Sequence, residues 1–176
     1  MSKTKQFSSY SLLRLVVCGM LIAVDVVLAR LASLNTTTER LGLSLFAVAI
    51  VAYLYGPIAA MVVHALSDLI GAILFPNGPI FLGFTLTAAL IGVIYGCCFL
   101  KKWTFWRVLL AVAITQLVCT LCLNTLWLSI LYDKSFFVFL PGRLIQAAIV
   151  APVQIVGLPF LFKALDRSVR PLLNQK

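Results

Sequence analysis

Apolar residues run along this chain in long blocks, with polar residues and helix breakers gathered at the joints. Leu12 to Leu31 is apolar apart from Arg14, Asp25 and Arg30, long enough as a helix to cross a hydrocarbon layer of about 30 Å. The polar stretch Ser33–Arg40 (SLNTTTER) follows as a loop. From Leu41 to Leu100 the block holds only His64 and Asp68 among acidic, basic and imidazole side chains, and it divides at Gly56-Pro57 and at Pro76-Asn77-Gly78-Pro79. Proline and glycine in those pairings punctuate helices, because proline lacks the N–H that the preceding turn needs.

The pattern predicts helices near 12–31, 43–55, 58–75, 81–100, 108–132 and 144–165, the last bent or broken near Pro152 and Pro159. The expected fold is an all-α integral membrane protein: one domain over 1–176 with six transmembrane helices. The N-terminus is basic and then apolar without a small-x-small cleavage site, so it reads as the first span and not as a cleaved signal.

Composition agrees. Of 176 residues, 62% are hydrophobic and 11% charged, with a mean hydropathy of +1.10. A soluble domain carries roughly a quarter charged residues, so a soluble enzyme or a disordered tail is excluded. The net charge of +9 raises the question of nucleic acid. The basic residues form no continuous stripe; they flank apolar blocks, which argues against nucleic acid and for membrane topology. With the N-terminus inside, Lys3, Lys5, Arg14, Lys101, Lys102, Arg107, Lys163, Arg167, Arg170 and Lys176 lie on the inner side, against Arg30, Arg40, Lys134 and Arg143 on the outer. Both termini are therefore expected to be cytoplasmic.

Topology does not call for the outer arginines. Arg30, Arg40 and Arg143 border spans at one mouth, and guanidinium groups fork onto carboxylate or phosphate. An anionic ligand is one reading; anchoring to lipid headgroups or pairing with Glu39 and Asp133 is the other. Asp25, His64 and Asp68 lie in apolar surroundings, where ionisable groups face a bundle interior and serve a site or a partner. Asp25 can pair locally with Arg30. His64 and Asp68, at i and i+4, can pair with each other, and one histidine with one aspartate leaves a metal shell unfilled.

Asn124 and Trp127, at i and i+3, together with Gln146 offer hydrogen bonds and a stacking face for a heteroaromatic ring; helix–helix bonding and an interfacial aromatic belt would account for them equally. Gly19 and Ala23 form a small-xxx-small face, suited to packing within the bundle or to docking another membrane protein. The cysteines Cys18, Cys97, Cys98, Cys119 and Cys122 all fall within or at the ends of spans and read as apolar packers. No Gly-x-Ser-x-Gly, His-Glu-x-x-His or P-loop is present. No enzyme, cofactor or metal is expected, and uphill transport would need energy from another subunit.

Several segments together carry a resemblance. They are Arg30-Leu-Ala-Ser-Leu-Asn-Thr-Thr-Thr-Glu-Arg40-Leu-Gly, Tyr55-Gly-Pro57, Asp68-Leu-Ile-Gly-Ala-Ile-Leu-Phe-Pro76-Asn-Gly, Phe81-Leu-Gly-Phe-Thr-Leu-Thr87, Ile94-Tyr-Gly96, Pro141-Gly-Arg143 and Pro152-Val-Gln154. The chain resembles the substrate-binding S component of energy-coupling factor vitamin importers, most closely the folate-specific branch. The resemblance implies a six-helix bundle in the bacterial cell membrane with a vitamin pocket under its outer loops. It also implies a transmembrane coupling subunit, driven by two ATPase subunits, on which the S component topples to release its ligand inward. Gly19 and Ala23 match the family's alanine-xxx-alanine docking face, with glycine in the first place.

If the ligand is folate, its chemistry leads us to expect the dianionic tail near Arg30, Arg40 and Arg143 at the mouth and the pterin deeper, against Asp68. Thr85, Asn124 and Gln146 add hydrogen bonds, Phe81, Phe84 and Trp127 wall the ring, and the loop Ser33–Gly42 acts as a lid. A sister vitamin such as pantothenate or pyridoxine is the nearest alternative, ahead of a small membrane enzyme or a channel, for which polar residues along whole helix faces would be needed.

Overall fold

The computed structural model describes residues 2–30, 44–76, 79, 81–100 and 102–173, with side chains over the same residues except 2–11, 30 and 168–173. Every regular element among them is helical. In chain order they are α1 (Ser2–Arg30), α2 (Ser44–Tyr55), α3 (Pro57–Leu74), α4 (Leu82–Phe99), α5 (Phe105–Ile114), a π-helical stretch (Thr115–Asn124), α6 (Thr125–Tyr132) and α7 (Phe136–Leu173). The proposed lid, 33–42, lies outside the described residues.

Among the described residues, five helical stretches are long and apolar enough to cross a membrane: Leu12–Ala29, Pro57–Leu74, Leu82–Phe99, Phe105–Tyr132 and Phe136–Arg167. The helix Ser44–Tyr55 has 12 residues, about 18 Å of rise, short of a full hydrocarbon thickness. The chain is thus a multi-pass, all-helical membrane protein, and its outer surface fits that solvent. Leu15, Ile58, Leu82, Trp106, Val156 and Phe160 are all exposed, a surface that suits lipid and would be unfavourable in water.

Besides α1 starting at Ser2, ahead of 12, and α7 ending at Leu173, beyond 165, three further differences from the sequence expectation concern helix limits. First, α5 begins at Phe105, ahead of the expected start at 108, and its path to Tyr132 passes through the π-helical stretch. Second, α7 begins at Phe136, so Pro141-Gly142-Arg143 belongs to the helix and not to the loop before it. Pro141 is the sixth residue of α7, past the unpaired N–H groups of the first turn, so it removes an intrahelical bond as the later prolines do. Third, α7 runs unbroken through Pro152 and Pro159. Membrane helices tolerate proline where neighbouring groups re-satisfy the freed carbonyls.

Helices α3 and α4 approach most closely through Gly92 and Gly96. A Cβ at Gly96 would stand 2.1 Å from Pro57 Cα, and one at Gly92 2.5 Å from the Ala60 carbonyl oxygen. Backbone therefore lies on backbone there, as small-xxx-small spacing allows in lipid. The turn between α2 and α3 is set by Gly56, whose φ of 87° suits glycine, with Pro57 at the first helical position.

At the same end an aromatic core closes the bundle. Phe162 packs with Phe99 (centroids 4.8 Å), Tyr53 (5.6 Å) and Trp103 (6.1 Å). Asp166 accepts from Tyr53 Oη and, at 2.9 Å, from Trp103 Nε1. One carboxylate so ties together α2, the α4–α5 connection and α7. This leaves the other end, where α3 finishes and α4 begins, to carry the polar residues of the candidate site.

Candidate binding site between α3, α4 and α6

The first two turns of α4 are the hub. Phe81 precedes the helix in extended conformation. Within the helix, Thr85 faces α3 and Thr87 faces α6: Thr85 Oγ1 donates to Asp68 Oδ2 at 2.9 Å, and Trp127 Nε1 donates to Thr87 Oγ1 at 3.0 Å. Gly83 makes room for this corner. A Cβ on it would come within 2.4 Å of the Phe81 ring and 2.6 Å of the Trp127 indole. Phe81 meets Trp127 at 5.6 Å and Phe84 at 6.1 Å between centroids, the latter edge-on. Three aromatic faces and one carboxylate thus converge around α4, all partly exposed. Flat apolar walls with a single oriented acidic group suit a planar heterocycle that donates hydrogen bonds.

The expected site residues fall into distinct groups. Asp68 and Thr85 are brought together, as are Phe81, Phe84 and Trp127. Arg143 and Gln146 form a third group on α7, where Arg143 Nη1 donates to Gln146 Oε1 at 2.5 Å. Both are buried, so Arg143 does not reach outward toward headgroups; it is held inside the bundle. Asn124 closes the π-helical stretch with its Oδ1 buried and without a hydrogen bond. A π-helical stretch inside an α-helix is frequent at functional sites. Arg30 ends α1 without a described side chain, and Arg40 lies outside the described residues.

One sequence expectation needs correction. His64 does not pair with Asp68. Its Nδ1 lies 2.9 Å from Asp25 Oδ2 on α1, and Ser67 Oγ donates to the same oxygen. Asp25 is thus engaged by α3, while its expected local partner Arg30 has no described side chain. The i, i+4 spacing put His64 and Asp68 on one side of α3, but α1 packs over His64 and Ser67 while α4 presents Thr85 to Asp68. Interhelical partners thus win over the local one.

Other residues of interest were not singled out from sequence. Thr87 partners the indole and was visible only as the last residue of Phe81-Leu-Gly-Phe-Thr-Leu-Thr87. Ser67 stands directly before Asp68. Gln116 and Gln154 form a buried amide contact (3.4 Å) between the π-helical stretch and α7, with Gln154 Nε2 otherwise unpartnered. A polar side chain in the middle of an apolar span was the signal for Gln116, and Gln154 was visible besides as the last residue of Pro152-Val-Gln154.

Gly19 is open: among the described residues nothing stands within 4 Å of a Cβ built there, and Ala23 is exposed beside it. Packing within the bundle therefore does not account for this pair. All five cysteines are free thiols, and among the described residues no group of three or more metal-binding side chains occurs.

Comparison with known proteins fits this architecture. The family described as "ECF transporter, substrate-specific component" matches residues 13–165. A protein of Clostridium novyi (strain NT) named folate transporter FolT is 38% identical over 148 residues, covering 84% of this chain and 86% of the relative. A protein of the same name from Leuconostoc mesenteroides subsp. mesenteroides is 32% identical over 161 residues, covering 88% and 86%. A solved structure described as the crystal structure of FolT bound with folic acid superposes with a TM-score of 0.77 at 34% identity, covering 84% of this chain and 89% of that one. With one family match spanning nearly the whole membrane region, the chain belongs to the substrate-specific components of ECF transporters.

Proposed function

We propose that this chain is the folate-binding subunit of an ATP-driven importer in a bacterial cell membrane. The observation that carries the reading is the corner at the start of α4, where Asp68 is held by Thr85 beside the rings of Phe81, Phe84 and Trp127. Its likeness to a structure named for bound folic acid supports the same reading. The pterin lies against this corner, and its amino and ring N–H groups donate to the Asp68 carboxylate, a charge-assisted pairing. Asn124, with its unpartnered Oδ1, accepts a further N–H. The dianionic glutamate tail runs outward toward Arg143 and Gln146, with Arg30 and Arg40 closer to the mouth and residues 33–42 closing over it.

The same reading gives six membrane segments with both termini cytoplasmic, counting the short α2. Gly19 and Ala23 form the surface that docks on a transmembrane coupling subunit, which two ATPases drive. The open Cβ position at Gly19 supports close approach of another helix there. The subunit topples on that partner to deliver its ligand inward.

The test is a fluorescence titration of the detergent-solubilised chain alone. Folate is expected to quench tryptophan emission to saturation at one ligand per chain, with pantothenate and pyridoxine silent. A response to one of those and not to folate would move the substrate within the family. Asp68→Asn is expected to weaken folate by roughly tenfold or more, about 1.4 kcal/mol; unchanged affinity would remove Asp68 from the pterin contact.

A further inference from the structure

Among the described side chains of α1, only Asp25 and Val26 are buried. Asp25 is 1% exposed, and both of its hydrogen bonds come from α3: His64 Nδ1 at 2.9 Å and the Ser67 hydroxyl, both onto Oδ2. Its other oxygen, Oδ1, is buried without a partner. An unpaired buried carboxylate oxygen is costly, and an apolar contact of the same size would hold two helices in lipid at least as well. Helix cohesion alone therefore does not explain this cluster.

Its place on α3 does. The first half of α3 rests backbone-to-backbone on α4 at Gly92 and Gly96, a close contact made by Pro57, Ala60 and Met61 that restrains that end of the helix. Beyond Val63 the rotation of α3 is set by directional bonds: His64 and Ser67 to Asp25 on one side, Asp68 to Thr85 on the other. Ser67 and Asp68 are consecutive, so a turn of α3 that breaks the Ser67 bond swings the Asp68 carboxylate by the same angle. We infer that Asp25, His64 and Ser67 are positioning residues: they fix the rotation of α3 and thereby aim Asp68 at the ligand. This rests on the proposed role of Asp68 in folate binding.

The test is a double-mutant cycle on folate affinity, measured on the intact chain in detergent. Ser67→Ala and His64→Gln are each expected to weaken folate about tenfold. His64→Asn, whose amide nitrogen takes the place of Nδ1, is expected to recover most of that loss, whereas glutamine places its nitrogen at the Nε2 position. In the Asp68→Asn background, Ser67→Ala and His64→Gln are expected to change affinity by less than about twofold, since coupled residues are non-additive. If they still cost tenfold there, or if Gln and Asn at position 64 behave alike, the positioning role is overturned. Should Asp68→Asn bind too weakly to titrate, Thr85→Val replaces it as the second arm, with the same non-additivity expected. A wild-type chain that does not bind folate fails the functional reading itself, an outcome distinct from additive losses in a chain that does.

Discussion

The Trp127 indole N–H donates to the Thr87 hydroxyl across 3.0 Å, and Thr87 Oγ1 donates onward to the Gly83 carbonyl at 3.1 Å. This relay locks the indole against the start of α4 and presents its ring, with that of Phe81, as one wall of the corner. The chain has three tryptophans. Trp103 is engaged with Asp166 at the far end, and Trp106 is 73% exposed on the outside. Trp127→Phe is therefore expected to remove most of the folate-induced change in emission, while Trp106→Phe keeps it. Quenching that survives in Trp127→Phe would place the ligand elsewhere.

How much of this was legible in the sequence differs by residue. Long apolar blocks and their breakers gave α2, α3 and α4 to within a residue or two of their limits, because in lipid the backbone must close its own hydrogen bonds and apolar length reports directly on helices. Pro141, Pro152 and Pro159 misled for a related reason: a neighbouring helix can offset what proline costs, and no neighbour is visible in a linear sequence. The pairing of His64 depended on which helix lies across from it. The local spacing favoured Asp68, whereas the packing of α1 supplied Asp25. Gly92-xxx-Gly96 was open to view as a small-residue pair, yet Gly19 and Ala23 have the same form, and only geometry separates a packed pair from an open one.

The carboxylate of Asp166 ties three parts of the bundle at the end away from the candidate site. Hydrogen bonds to a charged group contribute about 1.5–3 kcal/mol each, so Asp166→Leu, which loses two of them, is expected to destabilise the chain by about 3 kcal/mol or more. At roughly 2–4 °C per kcal/mol for a chain of this size, thermal unfolding in detergent resolves the loss. Folate affinity measured well below the new Tm is expected to stay within about twofold; a large change would mean that the two ends are coupled.

Arg143 is 9% exposed and bonded to Gln146 one turn further along α7. A guanidinium held this way is preorganised for a carboxylate and pays little entropy on binding it. Arg143→Ala is expected to weaken folate by tenfold or more but pteroate, which lacks the glutamate, by much less. Arg143→Lys is expected to recover part of the loss, since an ammonium supplies the charge without the fork. Equal losses for folate and pteroate in competition titrations would give Arg143 a structural role.

The two small-residue pairs make opposite predictions. At Gly96 an added Cβ would meet Pro57 Cα at 2.1 Å, backbone that has no room to yield without parting α3 from α4. Overpacking of this kind costs typically 1–3 kcal/mol or more, so Gly96→Ala is expected to lower Tm and, by moving α3, to weaken folate as well. At Gly19 an added Cβ meets nothing within 4 Å, so even Gly19→Leu is expected to leave Tm and folate affinity of the isolated chain unchanged. The loss belongs instead to folate uptake by cells and to co-purification with the transmembrane coupling subunit, where a bulky side chain keeps the partner helix at a distance. Normal uptake by Gly19→Leu at wild-type expression would show that this face meets only lipid.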